Sequence, residues 1–345
     1  MRLPAFVRVE AATACQLRCP TCPTGDGKTR GTIGIGHLSP DDFEALLDRS
    51  PWIRHVELSN WGEIFLNPRL AAILECAHRR GITLSADNGV NLNHAGDGAL
   101  EALVAYRFRS MTCSIDGASE ETYRIYRRGG SLERVLSNIR RLNDLKAKHG
   151  SDAPRLLWQF VAFGHNEHEI PAARALAGSL NMAFYVKLAW QDLYASEDFS
   201  PVLDAATIRN ETGTGVADRR EYYARYGQRY LQKPTCLQLW TSPQINWDGR
   251  MLGCCVNYWG DFGNVFRDGL EETFRGEKMT YAREMLTGRA PSRADIPCTT
   301  CTYYQTMHRD GHWMTVADLA ESRLPQAVDA AKRLLTRRVA RKTPR

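Results

Sequence analysis

The chain contains no run of 18 or more apolar residues. A transmembrane helix needs about 20 of them, so no membrane partner is expected. It also lacks an N-terminal export signal, so the oxidising compartments in which many cysteines mean a disulfide framework are not expected, and the expected location is cytoplasmic. Acidic residues are missing from one stretch: Lys332–Arg345 carries seven Lys or Arg and no Asp or Glu. No aromatic residue interleaves with those cations. The stretch therefore reads as a solvated helix end and frayed tail, not as a nucleic-acid surface.

Cysteine, by contrast, is plentiful. Ten thiols in 345 residues without an export signal point to reduced sulfur and metal ligation. Cys15, Cys19 and Cys22 fall within eight residues, after an apolar stretch, Ala5–Val9, that reads as a first strand. Structural zinc normally takes four ligands, and a C-x-x-C redox pair would leave Cys15 unused. Three thiolates on a short loop can hold an iron–sulfur cube and leave one iron open. The C-x3-C-x2-C spacing resembles the signature of the radical S-adenosylmethionine (SAM) enzymes. That resemblance implies a [4Fe-4S] cluster whose open iron binds the amino and carboxylate groups of SAM. Reductive cleavage then gives a 5'-deoxyadenosyl radical, fed by an external one-electron reductant of the flavodoxin or ferredoxin type.

A hydrophobic content of 43% suits one large domain plus a smaller one. Short apolar runs alternate with helical stretches over residues 1–190. Strands are expected at Phe6–Glu10, His55–Ser59, Ile82–Ala86, Arg109–Ile115, Leu156–Phe163 and Ala183–Leu188. Helices are expected at Pro68–Arg80, Ser131–Lys148 and Glu167–Leu180, the second with Leu132, Val135, Leu136, Ile139 and Leu142 on one face. Six strands match the family's α/β fold, a partial (β/α)6 TIM-like barrel, where chemistry sits at the C-terminal strand ends. Residues 191–230 read as a linker, 231–312 as a small C-terminal domain and 313–345 as a helix with the basic tail.

The strand ends carry the remaining motifs. After the second strand, Asn60-Trp61-Gly62-Glu63 resembles the family's Gly-Gly-Glu motif, implying that Trp61, Gly62 and Glu63 contact the SAM amino group; Trp61 departs from the usual glycine. A carboxylate and backbone carbonyls suit a ligand ammonium. Asp87-Asn88-Gly89 resembles the family's Thr-Asn-Gly. Met111–Gly117 resembles its Ser-x-Asp-Gly, and period-two alternation places Ser114 and Asp116 on one face, within reach of the SAM ribose or the substrate. Cys113 falls on the opposite face. Glu121–Gly130 matches the family's following segment, with arginines read as structural. Gln159 and Lys187 are polar residues inside apolar strands and so point to a site.

Cys236, Cys254, Cys255, Cys298 and Cys301 form a second set. Asp248-Gly249 between apolar runs signals a hairpin, with Cys236 before its first strand and Cys254 at the end of its second. Four thiolates from a hairpin and a downstream C-x-x-C can ligate a second cubane, or a zinc ion. The pattern, with Gly263-Asn264, resembles the SPASM and twitch auxiliary-cluster domains. No cysteine follows Cys301, which favours the one-cluster twitch form: a β-hairpin plus helix holding an auxiliary iron–sulfur cluster. Adjacent residues on a strand point to opposite sides, so only one of Cys254 and Cys255 readily ligates it. Cys255 is the candidate hydrogen donor to a substrate radical, with Lys187 and Asp116 as further catalytic candidates.

The cysteine spacing 236, 254, 298, 301 resembles that of carbohydrate-tailoring dehydrogenases and epimerases of aminoglycoside biosynthesis. The resemblance implies hydrogen abstraction from a carbinol carbon of a sugar or aminocyclitol, ending in epimerisation or dehydrogenation. His308 and Asp310 are further groups able to hydrogen-bond hydroxyls. The alternatives are modification of a ribosomal peptide and a non-catalytic electron-transfer protein. The first expected strand starts by about residue 5, which leaves no room for a leader-peptide-binding domain. The Gly62-Glu63 and Ser114/Asp116 motifs argue against electron transfer alone.

Overall fold

A computed structural model describes residues 2–190 and 199–321. The start of the expected linker, residues 191–198, and the basic tail lie outside the described residues. Six parallel strands follow the expected order: β1 (Phe6–Val9), β2 (His55–Glu57), β3 (Thr83–Val90), β4 (Ser110–Ser114), β5 (Arg155–Ala162) and β6 (Ala183–Leu188). A seventh, β7 (Gln244–Ile245), was not anticipated as part of this sheet. It pairs parallel with β1, Arg8 opposite Gln244 and Val9 opposite Ile245, giving the order β6-β5-β4-β3-β2-β1-β7. The C-terminal region thus continues the barrel sheet past its first strand. The Arg8 and Glu10 amides donate to Pro243 and Ile245 carbonyls at 3.0 and 2.9 Å.

Period-two alternation decides which face does what. Val7, Val56, Leu84, Met111, Leu156, Trp158 and Val186 are all at most 4% exposed and pack in the main core. The opposite face is polar: Arg8 stands beside Glu57, Glu57 beside Ser85, and Ser114 beside Gln159, which in turn faces Tyr185. A sheet apolar on one face only is covered by helices on that face and leaves the other to a ligand.

The helices form where caps and apolar spacing coincide. α1 (Pro40–Arg49) starts with Ser39 accepting from the Asp41 and Asp42 amides and with proline at its first position. α2 (Leu70–Arg79) and α3 (Asp97–Ala105) follow β2 and β3. α4 (Glu120–Tyr126) and α5 (Leu132–Lys148) are capped by Ser119 and Ser131. The apolar stripe of α5 is buried as expected, with Leu145 added to it. α6 (Ile170–Ser179) leads to β6. No helix among the described residues is long and apolar enough to cross a membrane.

The expected hairpin is present. Ile245 and Met251 pair antiparallel, the Asn246 amide donates to Arg250 O at 2.8 Å, and Gly249 turns the chain at φ +86°.

Candidate active site

The loop after β1 carries Cys15, Cys19 and Cys22, with Cys19 buried and the other two half-buried. The Cys22 amide donates to Cys19 O at 3.1 Å, which curls the loop. Burial pushes the Cys19 thiol up to about 11 even though the Arg127 guanidinium opposes it, and burial with the nearby Glu63 charge pushes Cys15 up to about 12. Such thiols stay protonated unless a cation replaces the proton, which iron does.

Arg127 bridges the loop to the sheet. Its Nη1 donates to Cys19 Sγ at 3.7 Å and its Nε to Asp116 Oδ2 at 2.6 Å. The other Asp116 oxygen accepts the Val161 amide at 2.7 Å. Both oxygens of this fully buried carboxylate are therefore engaged within the protein. Ser114 and Asp116 part company: Asp116 holds Arg127 against the cysteine loop, whereas Ser114 stays with the polar strand ends.

The segment after β2 crosses the mouth of the sheet. Gly62 admits no side chain, because a Cβ there would lie 2.1 Å from Ala12 O. Gly62→Ala is expected to displace the cysteine loop and to lower SAM affinity at least about tenfold, checked by calorimetry on the reconstituted protein. Glu63 is buried, and its carboxylate accepts from Asn91 N at 2.5 Å and Phe65 N at 3.3 Å. Burial lifts it to about 7 against those two hydrogen bonds. Asn88 donates to Asn60 Oδ1 at 3.1 Å. The Trp61 ring turns toward Ile33, Leu252 and Tyr258, so the departure from glycine ties this segment to the C-terminal hairpin.

Glu10, which the sequence reading passed over, underlies this segment. Its oxygens accept Trp61 N at 3.0 and 3.1 Å and Gln244 Nε2 at 3.2 Å, joining the loop to β7. Burial raises its pKa from 4.5 to about 8. The folded chain then holds a proton that the unfolded chain has released, so stability falls as pH rises from about 4.5 to about 8. Melting temperatures of the apoprotein across that window should fall with pH, and Glu10→Gln should flatten the slope.

The second cysteine set lines one cavity. Cys236, Cys254, Cys298 and Cys301 face it together with Leu239, Trp259 and Tyr304, and Cys255 does not. Burial and mutual repulsion raise the Cys236 thiol well above its usual value, and burial raises Cys254. Val256 and Asn257 amides act on the Cys254 sulfur, and Tyr304 and Tyr303 amides on Cys301, each favouring thiolate. Among the described residues, no three or more His, Cys, Asp or Glu side chains could hold a single metal ion together. Tetrahedral zinc wants its sulfurs about 2.3 Å from one point. Four thiols around a cavity that do not converge on one point suit a multinuclear cluster, so the donor set fits iron–sulfur better than zinc.

Residues 9–157 match the radical SAM superfamily, and residues 236–302 match the iron–sulfur cluster-binding domain SPASM. The chain is a radical SAM enzyme with a SPASM domain. Its cofactors are SAM and two iron–sulfur clusters, and such an enzyme requires a reductant. No curated protein sequence matches the chain. Among solved structures it is similar to SuiB of Streptococcus suis. With SAM bound, the likeness has a TM-score of 0.60 at 12% identity over 88% of this chain and 72% of that one. With precursor peptide SuiA bound, the TM-score is 0.61 at 12% identity over 88% and 71%. It is also similar to anSMEcpe with bound AdoMet, TM-score 0.56 at 13% identity over 95% and 99%. BtrN in complex with AdoMet and 2-DOIA gives 0.44 at 13% identity over 87% and 94%, too distant to carry weight. At these identities the likeness establishes the fold alone.

In the radical SAM domain, the polar strand ends meet in one network. Gln159 Oε1 accepts from Lys187 Nζ at 3.2 Å and from the Tyr185 hydroxyl, and Gln159 Nε2 reaches Ser114 Oγ at 3.5 Å. Gly89, at φ +136°, passes over Ser114, where a Cβ would lie 2.6 Å from its Oγ. Lys187 also stacks on Trp190, 4.0 Å from the ring centroid. Ser114, Gln159 and Lys187 are thus brought together, with Tyr185 as a member that strand alternation with Lys187 could have revealed. His308 and Asp310 lie apart from this network; Asp310 accepts from Tyr223 OH at 2.6 Å beside Arg309.

In the SPASM domain, Cys255 does not line the cluster cavity, though it lies close enough to act on Cys236 and Cys254. Its amide donates to Gln238 Oε1 at 2.8 Å, and its Sγ accepts from Gln238 Nε2 at 3.4 Å. Its carbonyl accepts from Asn60 Nδ2 at 3.0 Å. Asn60 precedes Trp61-Gly62-Glu63, so the Cys255 backbone sits against the segment after β2. Cys76 and Cys113 are core thiols.

Proposed function

We propose that this enzyme epimerises a carbinol carbon of a sugar or aminocyclitol, with Cys255 as the hydrogen donor. The observation that carries this reading is the division between the adjacent cysteines. Cys254 lines the auxiliary cavity and Cys255 does not, its backbone instead held by Asn60 beside the Trp61-Gly62-Glu63 segment. Cys15, Cys19 and Cys22 would hold the cluster at which SAM binds, and that pair would supply the radical chemistry that takes a hydrogen atom from the substrate carbon. The Cys255 S–H bond then breaks, and its hydrogen atom forms the new C–H bond on the opposite face of that carbon. The sulfur radical left on Cys255 returns to a thiol by taking one electron from the external one-electron reductant and one proton from solvent.

Ser114, Gln159, Tyr185 and Lys187 offer hydroxyl, amide and ammonium groups at the barrel mouth, a set suited to a polyhydroxylated ligand. The test is turnover of a panel of sugars and aminocyclitols in heavy water under anaerobic reduction. The expected product is the epimer with one deuterium at the inverted carbon, since the thiol proton exchanges with solvent. A ketone product would replace this reading with dehydrogenation. Modification of peptides with no reaction on the panel would replace the substrate class.

A further inference from the structure

Among the described residues, two buried donors near the auxiliary thiols have no hydrogen-bond partner. The Tyr304 side chain lines the cavity with Cys298 and is 3% exposed, yet its hydroxyl finds no partner among those residues. Arg229 Nη1 is likewise buried without a partner, and the Arg229 charge acts on Cys301. Leaving such a donor unpaired is costly, more so when it is charged. These positions are also fixed rather than incidental. The Arg229 amide donates to Gln232 Oε1 at 2.9 Å, and Gln232 Nε2 donates to Tyr303 O at 2.6 Å. Tyr303 OH returns a bond to Tyr230 O at 2.8 Å. The segment bearing Arg229 is therefore clamped to the first turn of the helix Thr302–Asp310, directly after Cys301.

We infer that Tyr304 and Arg229 are positioning residues for the auxiliary cluster, presenting an O–H and a guanidinium N–H to its thiolate ligands and so raising its reduction potential. A cluster held by four thiolates gains negative charge on reduction. A hydrogen bond or positive charge at its sulfurs favours that reduced state, and the potential of iron–sulfur centres follows such contacts. Neither residue has to touch the substrate. The inference rests on the two-cluster cofactor content and not on the epimerase reading.

The test is a reductive titration of the reconstituted protein followed by electron paramagnetic resonance. SAM addition perturbs the signal of the N-terminal cluster and leaves that of the auxiliary cluster, which separates the two. Tyr304→Phe and Arg229→Gln are each expected to move the SAM-insensitive midpoint to more negative potential, and Arg229→Lys to recover part of the shift. The SAM-sensitive midpoint should stay where it is in all three. Unshifted midpoints in both Tyr304→Phe and Arg229→Gln would overturn the inference. So would loss of the second cluster's iron and sulfide from Tyr304→Phe, which would make the hydroxyl a folding element. Wild-type protein that loads iron and sulfide for one cluster only would remove the premise itself. Failure to epimerise any sugar would leave the inference untouched, because no readout requires turnover.

Discussion

Cys255→Ala is expected to abolish formation of the inverted product while SAM cleavage continues. The substitution removes the S–H bond and the contact its sulfur accepts from Gln238 Nε2. The two backbone bonds that hold the residue, from its amide to Gln238 and from Asn60 to its carbonyl, survive in alanine. The auxiliary cavity keeps all four of its thiols, because Cys255 is not among them. Epimer formation should fall at least about 100-fold, equivalent to about 2.7 kcal/mol of barrel-bound chemistry at 1.36 kcal/mol per decade. Release of 5'-deoxyadenosine should persist, and deuterium uptake from heavy water into product should disappear. Cluster content, measured as iron and sulfide, should match wild type. Unchanged epimer formation would remove Cys255 from the reaction.

The second large effect is structural and concerns Arg127. Its guanidinium is 13% exposed and pairs at 2.6 Å with the wholly buried Asp116. Arg127→Met strands that carboxylate and withdraws the donor from Cys19. Removing one partner of a buried pair costs roughly 3–5 kcal/mol, because the remaining charge stays desolvated. Urea unfolding of the apoprotein should register a loss of that size. The double change Asp116→Asn with Arg127→Met should recover most of it, since no charge is left uncompensated and the amide oxygen can still accept from Val161 N. A loss below about 1 kcal/mol in the single variant would mean that the pair behaves like an exposed ion pair.

Much of this protein could be read from the chain because the relevant signals are local. The spacing of Cys15, Cys19 and Cys22 places three thiols on one loop whatever surrounds it. The six barrel strands announced themselves by apolar runs, and period two separated Gln159 and Lys187 from their apolar neighbours. The α5 stripe followed from 3.6-residue spacing. Other features depend on residues far apart in sequence. Asp116 looked available to a ligand, but Arg127, eleven positions on, claims it. Trp61 looked like a flaw in a glycine motif until Leu252 and Tyr258 came to meet it. β7 is two residues long, too short to signal a place in the sheet, and its pairing with β1 spans more than 230 positions.

The sequence by itself determined the kind of chemistry: a three-thiol loop before a barrel, a carboxylate segment after its second strand, and a second thiol set beyond it. Those are matters of residue type and short spacing. Only the tertiary structure decided which of two adjacent cysteines lines the auxiliary cavity and which has its backbone held by Asn60. Both lie in a bend and turn past Met251, not on a strand, so no alternation assigns their sides. Gln238 and Asn60 hold Cys255 in place, and they stand 17 and 195 positions away in the chain.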